Sequence, residues 1–412
     1  MFDKTAPKGM RDILPDDLAA RENILQKIKN VYRSFGFLGI ETPCVEDLGL
    51  LTSKQGGDNE KLIFKILKRG EKLDEATDQS QLCDLGLRYD LTVPLTRYYA
   101  NNQGKLPAVF KAMQIGNVWR AERPQKGRFR QFVQCDIDVI GEESCLAETE
   151  LITATSLALR ELGLKDFVVR VNDRRLLSSL ADYCGFDLSR HETVFIALDK
   201  LDKIGMDGVR KELTENGFDE DKVNKFADLV TQLTSGEDSL KKAAEINPDA
   251  CGNLKKIIDV TAKTTCDCKI VFDPSLVRGM NYYTGTIFEV SYGNFGISIA
   301  GGGRYDKMLG KFLGSDVPAC GFSIGFERIC AILASEGAKP AVEKKTALIV
   351  DKNATEEQLV AAYAFCAQKR AEGYTCLLAK KIKNFGFLLK QLKEQGYEQL
   401  YIVDNDAIRK VD

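Results

Sequence analysis

The 412 residues are 44% hydrophobic and 29% charged, with a formal net charge of −2. That is the composition of a globular chain long enough for two or three domains. It excludes a broadly basic nucleic-acid binder, so a nucleic-acid partner has to meet a local basic patch.

The twelve cysteines are scattered along the chain. In a chain of this size they read as reduced thiols of a cytoplasmic protein rather than a disulfide framework. Cys266-Asp-Cys268 is the tightest cluster and lacks the paired C-x-x-C spacing of a zinc site, so no metal ligands are expected from the protein. Residues 1–12 are polar and charged without a signal-peptide pattern, and no apolar run approaches the roughly 20 residues of a membrane helix. The lone histidine, His191, lies in a polar stretch and is expected at the surface. Chemistry must then rest on Arg, Asp, Glu, Gln and Tyr.

In chain order, apolar residues at helical spacing (Leu18, Ile24, Leu25, Ile28, Val31, Tyr32) predict a helix over 16–35, capped by Asp16 or Asp17. A short strand over 39–43 is bounded by Pro43. Residues 118–120 and 132–140 read as two strands joined by a basic loop, and 148–162 as an amphipathic helix. From about 175 to 265 the strand signals fade. Charged helical segments over 175–184, 192–203, 207–216, 220–235 and 237–262 read as a helical insertion in a β-rich domain. Strands return at 287–291 and 296–299, flanked by Gly-rich turns, and a helix follows over 326–335. A linker over 338–345 leads to a β-α-β-α-β order: strands at 347–350, 374–378 and 399–403, helices at 355–371 and 384–395. Together these predict a small α/β domain with a mainly parallel sheet.

The basic loop is Val118-Trp-Arg120-Ala-Glu122-Arg-Pro-Gln-Lys-Gly-Arg128-Phe-Arg130-Gln-Phe132. Arginine suits phosphate because its planar fork bonds two oxygens at once, and Phe132 can stack on a purine. A solvated hairpin with surface charge would look similar. The strand that follows argues against that, since Gln134, Asp136 and Asp138 alternate with Cys135, Ile137 and Val139. Three polar side chains on one face of an apolar strand call for a polar pocket, such as one for a small zwitterion.

These segments resemble the histidyl-tRNA synthetase family of class II aminoacyl-tRNA synthetases. Arg120-x-Glu122 with the loop to Phe132 resembles the second class II signature, Gly36-Phe-Leu-Gly-Ile-Glu-Thr-Pro43 the first, and Gly321-Phe-Ser-Ile-Gly325-Phe-Glu-Arg328 the third. Pro7-Lys-Gly-Met-Arg-Asp-Ile-Leu-Pro15, Leu87-Arg-Tyr-Asp90-Leu-Thr92, Leu276-Val-Arg278-Gly-Met-Asn281-Tyr282-Tyr283 and Gly301-Gly-Gly-Arg304-Tyr305-Asp306 resemble histidyl motifs. So do Val171-Asn-Asp-Arg174 and Leu198-Asp-Lys-Leu-Asp-Lys203 in the insertion. The resemblance covers roughly residues 5–335.

The resemblance implies a mixed α/β chain: an antiparallel-sheet catalytic domain over 1–335, interrupted by the insertion, and an anticodon-binding-like domain over 345–412, apparently shortened. It implies activation of L-histidine with ATP and Mg²⁺ and transfer to tRNA(His), by a homodimer built on the first signature. Asp90 and Thr92 would hold the α-amino group, and Gln134 the carboxylate or amino end of the substrate. Asp138, Tyr283 and Tyr305 would read the imidazole, with Tyr282 beside them. Arg120 would bridge the histidine carboxylate and the α-phosphate. Glu122 would bond the adenine amino group, with Phe132 stacked on the ring and Arg328 on its other face or at the γ-phosphate. Arg128 or Arg130 would hold the outer phosphates, and Gly325 would complete the ATP site. Arg278, the second catalytic arginine, would stabilise charge at the α-phosphate. Asn281 departs from the family's usual Asp and removes a charge near Arg278. Two competing readings are a histidine-sensing regulatory subunit of ATP phosphoribosyltransferase, which would not charge tRNA, and a tRNA-binding scaffold without ATP turnover. The intact set Arg120, Glu122, Arg278 and Arg328 favours the ligase.

Overall fold

The computed structural model describes residues 4–52, 62–124, 127–234, 238–264, 269–278, 283–293, 298–337, 344–404 and 407–411. The chain divides into two compact units, Met1–Ala338 and Lys339–Asp412. No helix of the described residues is long and apolar enough to cross a membrane.

The strands of the first unit are β1 (Leu38–Gly39), β2 (Val45–Asp47), β3 (Lys65–Leu67), β4 (Cys83–Leu87), β5 (Phe110–Trp119), β6 (Gln131–Ile140), β7 (Phe167–Asp173), β8 (Lys269–Phe272), β9 (Thr286–Tyr292), β10 (Ser298–Arg304) and β11 (Ala319–Gly325). Eight of them form one sheet in the order β1-β5-β6-β11-β10-β9-β7-β8. Its centre is antiparallel, and only the outer pairs β1–β5 and β7–β8 are parallel. A small antiparallel sheet, β2-β4-β3, stands beside it.

Alternation along β6 gives the large sheet its two faces. Cys135, Ile137 and Val139 are buried with Ile28 and Tyr32 of the helix Pro15–Ser34 and with Leu151 and Ile152 of the helix Leu146–Glu161. Gln134, Asp136 and Asp138 face the other way. The first helix begins at Pro15, with no side-chain cap. The expected cap at Asp16 or Asp17 gives way because proline, lacking an N–H, suits the first helical position. The two acids lie instead in the first turn, where they favour the helix dipole.

The insertion lies between β7 and β8 and is helical throughout its described residues. The helix expected over 237–262 is two, Ser239–Ala244 and Pro248–Thr264, because Pro248 starts a new helix and Asn247 accepts the Ala250 N–H at 3.0 Å. The helix expected over 192–203 likewise ends at Leu198, before Leu201–Glu215 begins. His191 is not at the surface: it is 4% exposed, tilted on Phe195, with Nε2 3.3 Å from the Phe186 carbonyl. Its polar chain neighbours lie outside, while the ring itself turns into the aromatic core of the insertion.

The strand expected over 39–43 is only the two-residue β1, bonded beyond its end by the Ile40 N–H to the Met113 carbonyl. The glycines at 301–303, read as turn-forming, sit inside β10. A Cβ on Gly302 would stand 2.0 Å from the Gly321 carbonyl oxygen and 2.7 Å from the Phe288 ring. Here the missing side chain serves close packing between strands rather than a turn.

The second unit holds β12 (Lys345–Val350), β13 (Thr375–Lys380), β14 (Tyr397–Asp404) and β15 (Ala407–Val411), in the order β13-β12-β14-β15. The first three are parallel, with helices Glu356–Ala371 and Phe385–Glu394 as connections. β15 adds an antiparallel edge to β14, a strand beyond the three expected.

Candidate active site

One cavity of about 340 Å³ opens on the polar face of β6. Register sets its polarity. β11 pairs Gly325 with Gln134 and Gly321 with Asp138, four residues further along β6. Arg328 stands one turn into the helix that follows Gly325. Arginines therefore gather at one end of the cavity and buried carboxyl groups towards the other.

At the carboxyl end, Asp138 is 3% exposed, and its Oδ1 accepts the Tyr305 hydroxyl at 2.6 Å. Burial pushes its pKa up to about 7, opposed by the Tyr305 bond and assisted by the charge of Asp90. Asp136 is also 3% exposed and is raised well above the usual carboxylate range by burial and then by Asp138, with Ser323 opposing. Its Oδ1 has no partner. Asp90 is buried and shifted upward by burial, against a bond in which its carboxylate accepts the Val93 N–H at 3.0 Å. Asp90 thus anchors the first turn of the helix Thr92–Asn102 and also lines the cavity, as do Thr92 and Tyr283. Gln134 donates Nε2 to the Ser323 hydroxyl at 3.0 Å, which leaves its Oε1 buried without a partner.

At the arginine end, Arg120 donates Nε to the Tyr89 carbonyl at 3.0 Å and lies 5.1 Å from the Phe132 ring centroid. Arg278 is held by Glu289 and by the Ser298 hydroxyl at 2.6 Å. Arg328 bonds the Ser298 carbonyl. Its pKa is lowered by burial and then by the positive charges of Arg128, Arg278 and Arg120. Cations that depress one another in a half-buried site form a receptor for an anion, and the guanidinium fork suits phosphate. Arg128 pairs with Glu122 only loosely, at 3.8 Å.

The structure thus brings Asp90, Thr92, Arg120, Glu122, Arg128, Phe132, Gln134, Asp138, Arg278, Tyr283, Tyr305, Gly325 and Arg328 to one cavity. Arg130 is not among its lining. Its Nε bonds the Glu122 carbonyl at 3.0 Å, and its backbone N–H bonds the Gly9 carbonyl at 2.8 Å, so it ties the N-terminal segment to the loop. Tyr282 and Asn281 lie outside the described residues.

Among the further lining residues without an assigned role in the sequence reading are Asp136, Glu327 and Ser298. Only Asp136 left a signal there, as the third polar residue on the inner face of β6. Glu327 accepts from both Arg11 and Arg21, at 2.6 and 2.7 Å. Burial opposes its charge, but the two arginines outweigh burial and lower its pKa. Arg11 also sits 4.3 Å over the Phe129 ring. The N-terminal segment, the basic loop and the start of the helix Phe326–Ser335 are therefore linked through one carboxylate.

Residues 9–329 match the histidyl-tRNA synthetase family model. The chain is 45% identical over 418 residues to the histidine–tRNA ligase of Leifsonia xyli subsp. xyli, with 98% of this chain and 96% of that protein covered. It is 37% identical over 385 residues to the histidine–tRNA ligase of Christiangramia forsetii, with 88% and 84% covered. Among solved structures, the histidyl-tRNA synthetase of Nostoc sp. PCC 7120 superposes with a TM-score of 0.80 at 26% identity, covering 100% of this chain and 97% of that one. A Bacillus halodurans protein described as an ATP phosphoribosyltransferase regulatory subunit/histidyl-tRNA synthetase also gives 0.80, covering 99% and 100%; at 23% identity it speaks for the fold alone. The fold is that of a class II synthetase, and the chain belongs to the histidyl-tRNA synthetase family.

Proposed function

We infer that this chain is an aminoacyl-tRNA ligase that activates L-histidine with ATP to histidyl-adenylate and transfers the histidyl group to tRNA(His). The observation that carries the reading is the two-ended cavity. Buried carboxyl and phenol groups sit at one end, and the arginines Arg120, Arg128, Arg278 and Arg328 at the other. A zwitterionic amino acid with a polar ring fits the first, and a polyphosphate fits the second.

In this reading Asp138, Tyr305 and Tyr283 bond the imidazole nitrogens, with Tyr282 contributing from the neighbouring position. An amino acid lacking two ring polar groups would leave these buried groups unpaired, which is a strong basis for rejection. Asp90 and Thr92 meet the α-ammonium. Gln134 Nε2 donates to Ser323, and the buried Oε1 that lacks a donor suits the ammonium rather than the carboxylate. Phe132 stacks on the adenine and Glu122 accepts from its amino group, with Gly325 beneath. Arg328 and Arg128 meet the outer phosphates.

Arg120 bridges the substrate carboxylate and the α-phosphate, and Arg278 lies beside the same phosphate. The carboxylate oxygen attacks the α-phosphorus in line, and the bond to pyrophosphate breaks. The carboxylate is already ionised at neutral pH, so no general base is needed. What the chain supplies is fixed positive charge where negative charge develops. A terminal ribose hydroxyl of the tRNA then attacks the activated carbonyl, and AMP leaves.

Among the described residues no three His, Cys, Asp or Glu side chains gather as a metal site. Mg²⁺ usually enters such sites on substrate phosphates with few protein ligands. It is therefore assigned to the nucleotide, where it would neutralise phosphate charge.

The second unit is read as the anticodon-binding domain. Lys380, Lys381, Lys383, Lys390 and Lys393 are all exposed, with Phe387 exposed among them, and no acidic residue intervenes. That is a footprint for phosphates with an aromatic for stacking. A cytoplasmic homodimer completes the proposal. Formation of histidyl-tRNA from labelled histidine, ATP and tRNA(His) tests the function. Histidine binding without charging would instead support the regulatory-subunit reading.

A further inference from the structure

Histidine, as placed above, leaves one buried atom in the cavity without a donor. Asp136 Oδ1 is unpartnered, its residue is 3% exposed, and it lines the cavity between Gln134 and Asp138 on the inner face of β6. A buried carboxylate oxygen without a donor costs free energy of the order of a lost charged hydrogen bond. A side chain kept this way points to a donor that arrives with the ligand.

The candidate donors can be sorted. The ring end is served by Asp138 and its Tyr305 partner, two residues further along the strand. Arg120 is close enough to act on Asp136 by its charge, but it gives Asp136 Oδ1 no hydrogen bond. Asp90, whose charge also acts on Asp136, has spent an oxygen on the Val93 N–H. Around the region that Asp90, Gln134 and Asp136 line together, two buried acceptors stand without a donor, Gln134 Oε1 and Asp136 Oδ1, beside the Asp90 carboxylate. A primary ammonium carries three N–H donors and one positive charge. Two of its donors reach Gln134 Oε1 and Asp136 Oδ1, the third is shared by Asp90 and the Thr92 hydroxyl, and its charge offsets buried negative charge.

We propose that Asp136 is a further substrate-binding residue, which accepts from the α-ammonium of the amino acid together with Asp90 and Gln134. The cavity then recognises the amine as stringently as the ring. A des-amino analogue keeps the ring contacts but leaves the acceptor set empty. This rests on the assignment of histidine as substrate.

The test compares Asp136→Asn with the parent chain using two probes: L-histidine, and 3-(imidazol-4-yl)propionate, which lacks only the amine. Affinity is read from the KM for histidine in pyrophosphate exchange and from inhibition by the analogue. Asp136→Asn is expected to raise the histidine KM about 10- to 100-fold, with analogue inhibition and KM for ATP unchanged. Asp136→Ser, which removes the carboxyl without adding bulk, carries the same expectation and covers a folding failure of the first variant. Equal losses for both probes would place Asp136 at the ring or in the shape of the pocket and overturn the proposal, as would no loss for either. A parent chain without histidine-dependent exchange would instead overturn the substrate assignment.

Discussion

Asp138 is buried, accepts the Tyr305 hydroxyl, and has its pKa raised by burial from 3.8 to about 7. In the unfolded chain it titrates near the ordinary value of about 3.9. Between about pH 4 and pH 7 the folded state therefore binds more protons than the unfolded state, and stability falls as pH rises through that window. Asp136 and Asp90 are shifted in the same direction. The urea midpoint of the ligand-free chain should fall between pH 4.5 and pH 7 by less in Asp138→Asn than in the parent, about two orders of magnitude in folding equilibrium at most. An unchanged slope would contradict the assignment. At the other end of the cavity, Arg278→Ala should lower kcat for pyrophosphate exchange about 10²- to 10³-fold. Gln134, Asp136 and Asp138 were legible as polar residues alternating with apolar ones on a strand, and Arg120 and Arg128 as part of a basic loop, while Asp90, Thr92, Arg278, Tyr283, Tyr305 and Arg328 came through the family resemblance. Glu327 and the buried His191 were not legible. Their burial is set by Arg11 and Arg21 in one case and by Phe186 and Phe195 in the other, and local polarity does not reveal what packs over a residue.

The elements that frame the cavity depend on residues with no side chain. A Cβ on Gly321 would stand 2.0 Å from Asp138 Oδ1, and one on Gly301 would stand 2.4 Å from Arg278 Nη1. Gly321→Ala should therefore raise the KM for histidine while leaving the KM for ATP nearly unchanged, because it displaces the ring-binding carboxylate. Gly301→Ala should instead lower kcat. The converse pattern in steady-state kinetics would show that the two ends of the cavity are misassigned. A second constraint fastens β10 to the helix Leu146–Glu161: Arg304 donates to Glu148 at 2.8 and 2.7 Å, and Glu148 is fully buried. Glu148→Ala leaves the buried Arg304 guanidinium with only its longer ion pair to Asp306, at 3.3 Å, and should cost up to about 3–5 kcal/mol of stability, measured by denaturant unfolding. Periodicity revealed the strands around the basic loop and the helix Phe326–Ser335. It failed at 301–303, because glycine in sequence reads as a turn former and only the facing strand shows that its missing Cβ is required. The helix breaks at 199–200 and 245–247 were hidden by continuous helix-forming composition.

At the scale of the molecule, Met1–Ala338 holds the cavity and Lys339–Asp412 holds the exposed lysines. A composition shift and a proline marked the boundary region in the sequence, but β15 was not legible there as an edge strand. The triple change Lys383→Glu, Lys390→Glu and Lys393→Glu should raise the KM for tRNA about tenfold or more at moderate salt. Histidine-dependent exchange should remain unchanged, since in the proposed reaction these lysines meet only tRNA. A loss of exchange in this variant would contradict the division of labour. Sedimentation at micromolar concentration should give about twice the 45.8 kDa chain mass. Leu38 on β1, Val45 on β2, Leu67 on β3 and Leu85 on β4 are exposed apolar residues.

The most direct measurement is pyrophosphate exchange into ATP, run with each amino acid in turn on the parent chain and on Arg278→Ala. The account predicts exchange with L-histidine, none above background with the others, and a loss of about 10²-fold or more in the variant. Histidine that binds without supporting exchange, or exchange that survives the loss of Arg278 undiminished, would contradict it.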